Sequence, residues 1–180
     1  MTALDPYLFS ALPNARFDGF AQIVIETSDL DADVREYADK LGIGPWWVGP
    51  LEPPSVVNTT YYGKPEPMRV QVGIAFVGEM QLLLVEPRDG KNIYKDFLEQ
   101  RGGGIHYLTL THTGHSFDEM TKELEEKGYP AITTGGFLRN RWYNFLAGGP
   151  NPVTLEVLEW PEDQGLPEPD YWYPPKSLAG

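Results

Sequence analysis

The sequence predicts an α+β fold built from one unit used twice. Three observations carry this expectation. Two strand-like segments, FAQIVIETSD and IHYLTLTH, are each followed by an amphipathic stretch that ends at a glycine. The landmarks recur at one spacing: Gln22 to Tyr107 is 85 positions and Gly42 to Gly128 is 86. Each copy then continues into a pair of alternating segments with turn residues between them, so the unit reads as strand, helix and further strands.

Residues 1–16 contain Pro6 and Pro13 and show no period, so they are expected to lie on the body as an arm. The first unit spans residues 17–87. Phe20 to Asp29 alternates, with Ile23 and Ile25 on one face and Gln22, Val24 and Glu26 on the other. Ser28 is positioned to cap the next helix, with Asp31 three residues on. Val34, Tyr37, Ala38 and Leu41 form its apolar stripe, and Gly42 stops it. Met68 to Gly78 and Met80 to Pro87 read as a hairpin. Residues 88–104 link the copies: Asn92 to Gln100 reads as a helix with Ile93, Tyr94, Phe97 and Leu98 apolar, and Gly102, Gly103 and Gly104 free the chain to turn into the second unit.

The second unit spans residues 105–161. Ile105 to His112 is the strand. Ser116 opens the helix with Glu119 completing a capping box, Phe117, Met120 and Leu124 make the buried face, and Gly128 ends it. FLRNRWYNFLAG and VTLEVLEWP form a hairpin around the turn sequence GGPNP. The copies differ in one place. Gly42 to Met80 is 38 residues whereas Gly128 to Val153 is 25, and the excess lies in the Pro-rich, aromatic stretch Val48 to Pro67. A loop of that length inside a compact domain points to function. Residues 162–180 are a Pro-rich tail whose Tyr171, Trp172 and Tyr173 are expected to pin it to the surface or to a partner subunit.

Composition narrows the function. The 180 residues carry 14 Lys+Arg against 26 Asp+Glu, a formal charge of −12. That balance disfavours nucleic acid and anionic membranes, which call for clustered basic residues. Zero Cys rules out disulfides, thiolate metal sites and a thiol nucleophile. No apolar run approaches a membrane span of ~20 residues. No basic, then apolar, leader opens the chain. The expectation is a soluble, cytoplasmic protein with a small-molecule partner.

The stretches SDLDADVREYADKLGIGPW and IYKDFLEQRGGGIHYLTL resemble the vicinal oxygen chelate superfamily, which includes glyoxalase I, methylmalonyl-CoA epimerase, extradiol dioxygenases and bleomycin-resistance proteins. The nearest resemblance is to the epimerase-like branch, and it covers about residues 17–161. It implies tandem βαβββ modules forming a curved mixed sheet around a central cup, and a homodimer. It also implies four strand positions that usually hold a divalent metal. Gln22, Leu83, Tyr107 and Glu156 stand at those positions here: Leu83 has no donor atom and a neutral tyrosine is a poor ligand. No metal or other cofactor is therefore expected.

The strand VTLEVLEW alternates so that Glu156 faces the cup beside Leu83, Val85 and Leu158. A carboxylate there is desolvated, which raises its pKa and suits general-base work. Gln22 can orient a carbonyl, and the Tyr107 hydroxyl can donate to an enolate oxygen. Arg139, Trp142 and Tyr143, across the hairpin, and Trp46 and Tyr62, flanking the long loop, are the expected substrate contacts together with Leu83. His106 has the opposite parity to Tyr107 and is expected to point away from the cup unless a bulge turns it; His112 and His115 read as a solvated turn. The combination predicts a metal-independent isomerase, racemase or lyase that moves a proton next to a carbonyl of an aromatic or cyclic small molecule. Few basic residues stand near the loops to hold coenzyme A. The alternatives are a non-catalytic sequestration protein of the bleomycin-resistance type, or a metal-dependent glyoxalase or epimerase with a rebuilt site.

Overall fold

The computed structural model describes residues 16–112 and 114–175. The arm expected over residues 1–16 falls outside them except for Arg16. In the first half, β1 (Gly19–Glu26) leads into α1 (Leu30–Leu41), β2 (Trp46–Leu51), the short β3 (Val56–Val57), β4 (Thr60–Tyr61) and β5 (Lys64–Pro65), then β6 (Val70–Val77) and β7 (Met80–Pro87). The connecting helix is α2 (Ile93–Arg101). The second half runs β8 (Gly104–Thr111), α3 (Phe117–Glu126), β9 (Ala131–Phe137), β10 (Asn140–Ala147) and β11 (Val153–Glu159), and the tail adds β12 (Tyr171–Tyr173).

Ten strands form one strongly curled mixed sheet in the order β12-β2-β6-β7-β1-β8-β11-β10-β9-β3. The order is a palindrome of the two βαβββ modules, joined where β1 pairs antiparallel with β8. Each first strand pairs parallel with its own module's last strand, β1 with β7 and β8 with β11. The helices cover the outer face in two equivalent places. Leu30 and Val34 of α1 pack on Trp46, Val48, Leu82 and Leu84. Phe117, Met120 and Leu124 of α3 pack on Leu110, Tyr143, Phe145 and Val157. The inner face carries its own core, including Val24, Trp47, Val72, Val85, Tyr107 and Trp142.

Local signals explain the element ends. Ser116 and Glu119 form the expected capping box, and Asn92 caps α2 by accepting from Lys95 N at 2.8 Å. Gly42 follows α1 in the left-handed conformation, φ 68°. The α1 cap differs from expectation: Asp29, not Ser28, accepts from Ala32 N at 3.0 Å, because Thr27 Oγ1 already holds the Asp29 N–H and turns the chain one residue later. Leu41 is 62% exposed, so the α1 stripe begins at Leu30 instead of ending at Leu41.

The Pro-rich excursion and the described part of the Pro-rich tail are both structured. Within Val48 to Pro67, β3 pairs with β9 of the other module and buries Val56, and the Tyr61 hydroxyl donates to Asp96 of α2 at 2.8 Å. The tail pairs β12 with β2. Each module's outer edge is thus covered by chain leaving the other: β12, which follows the second module, covers β2, and β3, which belongs to the first, covers β9.

Candidate active site

One row of polar side chains crosses the inner face of the sheet. In ladder register, Gln81 pairs with Gln22, Gln22 with Thr109, Thr109 with Glu156, Glu156 with Asn144 and Asn144 with Thr133. Neighbouring strands place such residues side by side on one face. Gln22, Thr109, Glu156, Asn144 and Thr133 are all buried. The row's middle is the floor of a cup with about 540 Å³ of empty space, part of it open to solvent. The cup's walls are apolar and aromatic, with Leu83, Tyr94, Tyr107, Trp142 and Leu158 among them, and no Lys or Arg lines it.

The floor residues are bonded to one another. Gln22 Nε2 donates to Gln81 Oε1 at 2.5 Å. The Thr109 hydroxyl lies 2.9 Å from Gln22 Oε1 and 2.7 Å from Glu156 Oε1. A hydroxyl has one proton to give. Both contacts close as bonds when Glu156 is protonated and donates to Thr109, which then donates to Gln22. With Glu156 ionised, Thr109 donates to the carboxylate and both contacts close only if the Gln22 amide is reversed. Each protonation state of Glu156 thus pairs with one orientation of Gln22.

Glu156 is 4% exposed, and burial pushes its carboxyl up to about 7. Thr109, Asn144 and Tyr107 oppose that shift by hydrogen bonding, in that order. Asn144 faces Glu156 across the ladder, yet neither of its amide atoms closes a bond of full geometry. The Tyr107 hydroxyl lies 3.3 Å from that of Tyr94, and burial holds both phenols far above their usual range, with the nearby Glu156 charge adding to it. The indole N–H of Trp142 is buried without a partner.

Of the residues expected at the site, Gln22, Leu83, Tyr107, Trp142 and Glu156 line this one cup. The other four are elsewhere. Trp46 is fully buried on the outer face against α1. Tyr143 packs on the outer face near α3 and donates to Tyr129 O at 2.9 Å. Arg139 is at the surface, 2.8 Å from Asp163. Tyr62 is 56% exposed, stands edge-on to Tyr61 and borders a separate open cleft.

The residues level with Gln22 and Glu156 are Gln81 and Thr109, one ladder step from Leu83 and Tyr107. The signal that locates Thr109 is the helix cap: Gln22 stands seven residues before the Asp29 cap, and Thr109 seven before the Ser116 cap. Taking Ser28 as the cap hides this match. A second buried carboxylate also went unread. Glu26 Oε1 is 2.8 Å from His106 Nδ1, and the His106 ring stacks on Phe97, stands edge-on to Tyr94 and borders the separate cleft; it meets Glu26 beside the register shift between Val24 and Ile25, where simple alternation does not hold. Burial raises Glu26 to about 9 and lowers His106 to about 4, favouring the neutral form of both.

The floor does not fit a transition-metal centre. Its donors are one carboxylate, two carboxamides and a hydroxyl, with no imidazole, and they already satisfy one another. Among the described residues, no three His, Cys, Asp or Glu side chains converge on a point where an ion would sit.

Paired βαβββ modules around one apolar cup with a polar floor define the vicinal oxygen chelate class of fold. The chain belongs to the glyoxalase/bleomycin resistance protein/dioxygenase superfamily, whose description matches residues 21–143. Its fold is similar to methylmalonyl-CoA epimerase from Mycobacterium tuberculosis, at 21% identity and TM-score 0.59, covering 84% of this chain and 95% of that one. A hypothetical protein from Bacillus halodurans C-125 matches at 21% identity and TM-score 0.58, covering 82% and 97%. A methylmalonyl-CoA epimerase solved with methylmalonyl-CoA and NH4+ matches at 19% and 0.54, covering 79% and 94%. No curated protein matches the chain. Among the described residues, no helix is long and apolar enough to cross a membrane.

Proposed function

We propose that the cup is the site of a metal-independent proton transfer next to the carbonyl of a small, uncharged aromatic or cyclic compound, with Glu156 as the base. The observation that carries this is a buried carboxyl on the floor of an apolar cup, raised to about 7, where it can both take and return a proton near neutral pH. The ionised carboxylate removes a proton from the carbon beside the carbonyl. The C–H electron pair moves into the enolate, and the carboxylic acid then returns the proton, or solvent replaces it. The Gln22 amide lines the cup and keeps a second N–H beyond its bond to Gln81, which makes it the donor for the enolate oxygen. Tyr107 acts on Glu156, lowering its pKa from the value burial alone would set.

The test is exchange of the protons on the carbon beside the carbonyl of 1-indanone or 2-tetralone in D2O, followed by NMR, with the wild type and with Glu156→Gln. The proposal expects exchange above the buffer rate that the substitution abolishes. Equal exchange by both proteins would remove Glu156 from the chemistry. The sequestration reading has one observation in its favour: the polar floor is satisfied internally, as suits a site that only holds a ligand. Ligand-dependent quenching of tryptophan fluorescence without exchange would select it.

A further inference from the structure

We infer that the strap from Trp160 to Asp170 is the ceiling of the cup, and that Leu166 on it determines which ligands fit. This rests on the cup being the ligand site. Trp160 and Leu166 both line the cup, and Leu166, half-buried, packs on the inner core cluster. They are the lining residues that come from beyond β11; the rest of the walls and the floor come from the two modules and α2.

The strap is fastened at both ends. On the second module, Gln164 is buried to 9% exposure although its neighbours are open to solvent. Its side chain accepts from Arg139 N at 2.8 Å and donates to Phe137 O at 3.4 Å. Its backbone closes a turn, donating to Pro161 O and accepting from Trp160 Nε1 at 3.0 Å. Arg139, expected from the sequence to touch substrate, instead ties down Asp163. On the first module, Trp47 Nε1 donates to Pro167 O at 2.8 Å, Asp170 N donates to Val48 O, and β12 then pairs with β2. Between the fastenings the free span is short, and Pro167 and Pro169 restrict it further. Gly165 gives it one pliant point beside Leu166.

A surface tail would not need a buried glutamine, an indole hydrogen bond at each end and a leucine aimed inward. A ceiling needs all three, because its height above the floor must be fixed. The strap also carries Glu162, Asp163, Glu168 and Asp170 and no Lys or Arg. Arg139 offsets Asp163, but the strap stays net acidic and the cup lining holds no Lys or Arg to pair with an anion, so the class favoured is uncharged rather than a carboxylate, phosphate or thioester of coenzyme A.

The test uses Prodan, an uncharged fluorescent naphthyl ketone, titrated into the full chain as wild type, Leu166→Ala, Leu166→Trp and Leu83→Trp. Leu83 is a wall residue on the sheet and reports whether the probe is in the cup at all. The expected result is binding about tenfold weaker in Leu166→Trp and Leu83→Trp, and about threefold tighter in Leu166→Ala. Both Leu166 variants within about twofold of wild type, with Leu83→Trp weakened, would overturn the ceiling and leave the cup standing. No effect of Leu83→Trp, or no binding by any form, would overturn the cup reading and the ceiling with it. If Leu166→Trp fails to fold by circular dichroism, Leu166→Ala decides alone, since removing a half-buried side chain leaves every strap hydrogen bond in place.

Discussion

Replacing Glu156 by Gln should stabilise the protein, and by an amount that grows with pH. In the fold the carboxyl is raised from its ordinary 4.5 to about 7. Between those values the folded state binds more protons than the unfolded state, so stability is fully present below about 4.5 and is lost as pH rises through about 7. A shift of that size corresponds to about 3 kcal/mol at most once both states have ionised. The amide of Gln has nearly the same shape, keeps an oxygen or N–H for Thr109, and carries no charge to bury. Urea unfolding at pH 5 and pH 8.5 reads the difference. The variant should gain about 2–3 kcal/mol over the wild type between the two conditions. The neighbouring Glu26 and His106 titrate in both proteins and cancel in the comparison. A gap that does not widen with pH would mean that Glu156 ionises in the fold as easily as in water, and the proton-transfer proposal would lose its physical basis.

Three further outcomes follow from the same geometry. Thr109→Val removes the hydroxyl that holds Glu156 down, so the carboxyl should titrate above about 7 in a carboxyl 13C NMR titration; an unshifted midpoint would show that the 2.7 Å contact does not act on the acid. His106 should stay neutral from pH 8 down to well below its ordinary 6.5, since burial lowers it to about 4. Its contribution to stability is then present above about 6.5 and lost as pH falls through about 4, and an imidazolium 15N signature at pH 6 would contradict the neutral pair. In Gly135→Ala the added Cβ would overlap the ring of Trp142, which should cost about 1–3 kcal/mol in urea unfolding and shift the tryptophan emission; an unchanged midpoint would mean that the cup wall yields freely.

The repeat was legible in the sequence because its signals are local. Capping residues, glycine stops and alternation placed both helices, the linker helix and both hairpins where the structure has them. Alternation likewise put Gln22 and Glu156 on the inner face, as they are. What failed was register. Ser28 and Asp29 are equally good caps by type, and only the Thr27 bond to Asp29 N decides between them. The family resemblance and the 85-position spacing match Tyr107 to Gln22, whereas the ladder sets Thr109 level with it. Parity also fails where strand ends are unknown: Trp46 and Trp47 are adjacent, and the outer-facing one was the one selected. Arg139 follows Leu138, whose φ of 57° breaks the alternation at the hairpin tip. Gln81 went unread because the resemblance pointed to Leu83, and the strap because a Pro-rich segment has no period to read.

The exchange of edge strands between the modules has a consequence for how the molecule comes apart. An uncovered strand edge is a template for pairing with another chain. Pulling the second module away strips β12 from β2, and pulling the first away strips β3 from β9, so neither half can leave without exposing a sticky edge on both. The two halves therefore behave as mutual insurance against aggregation rather than as separable parts. A nick or truncation in the strap or in the long excursion would be felt as insolubility before it was felt as lost chemistry.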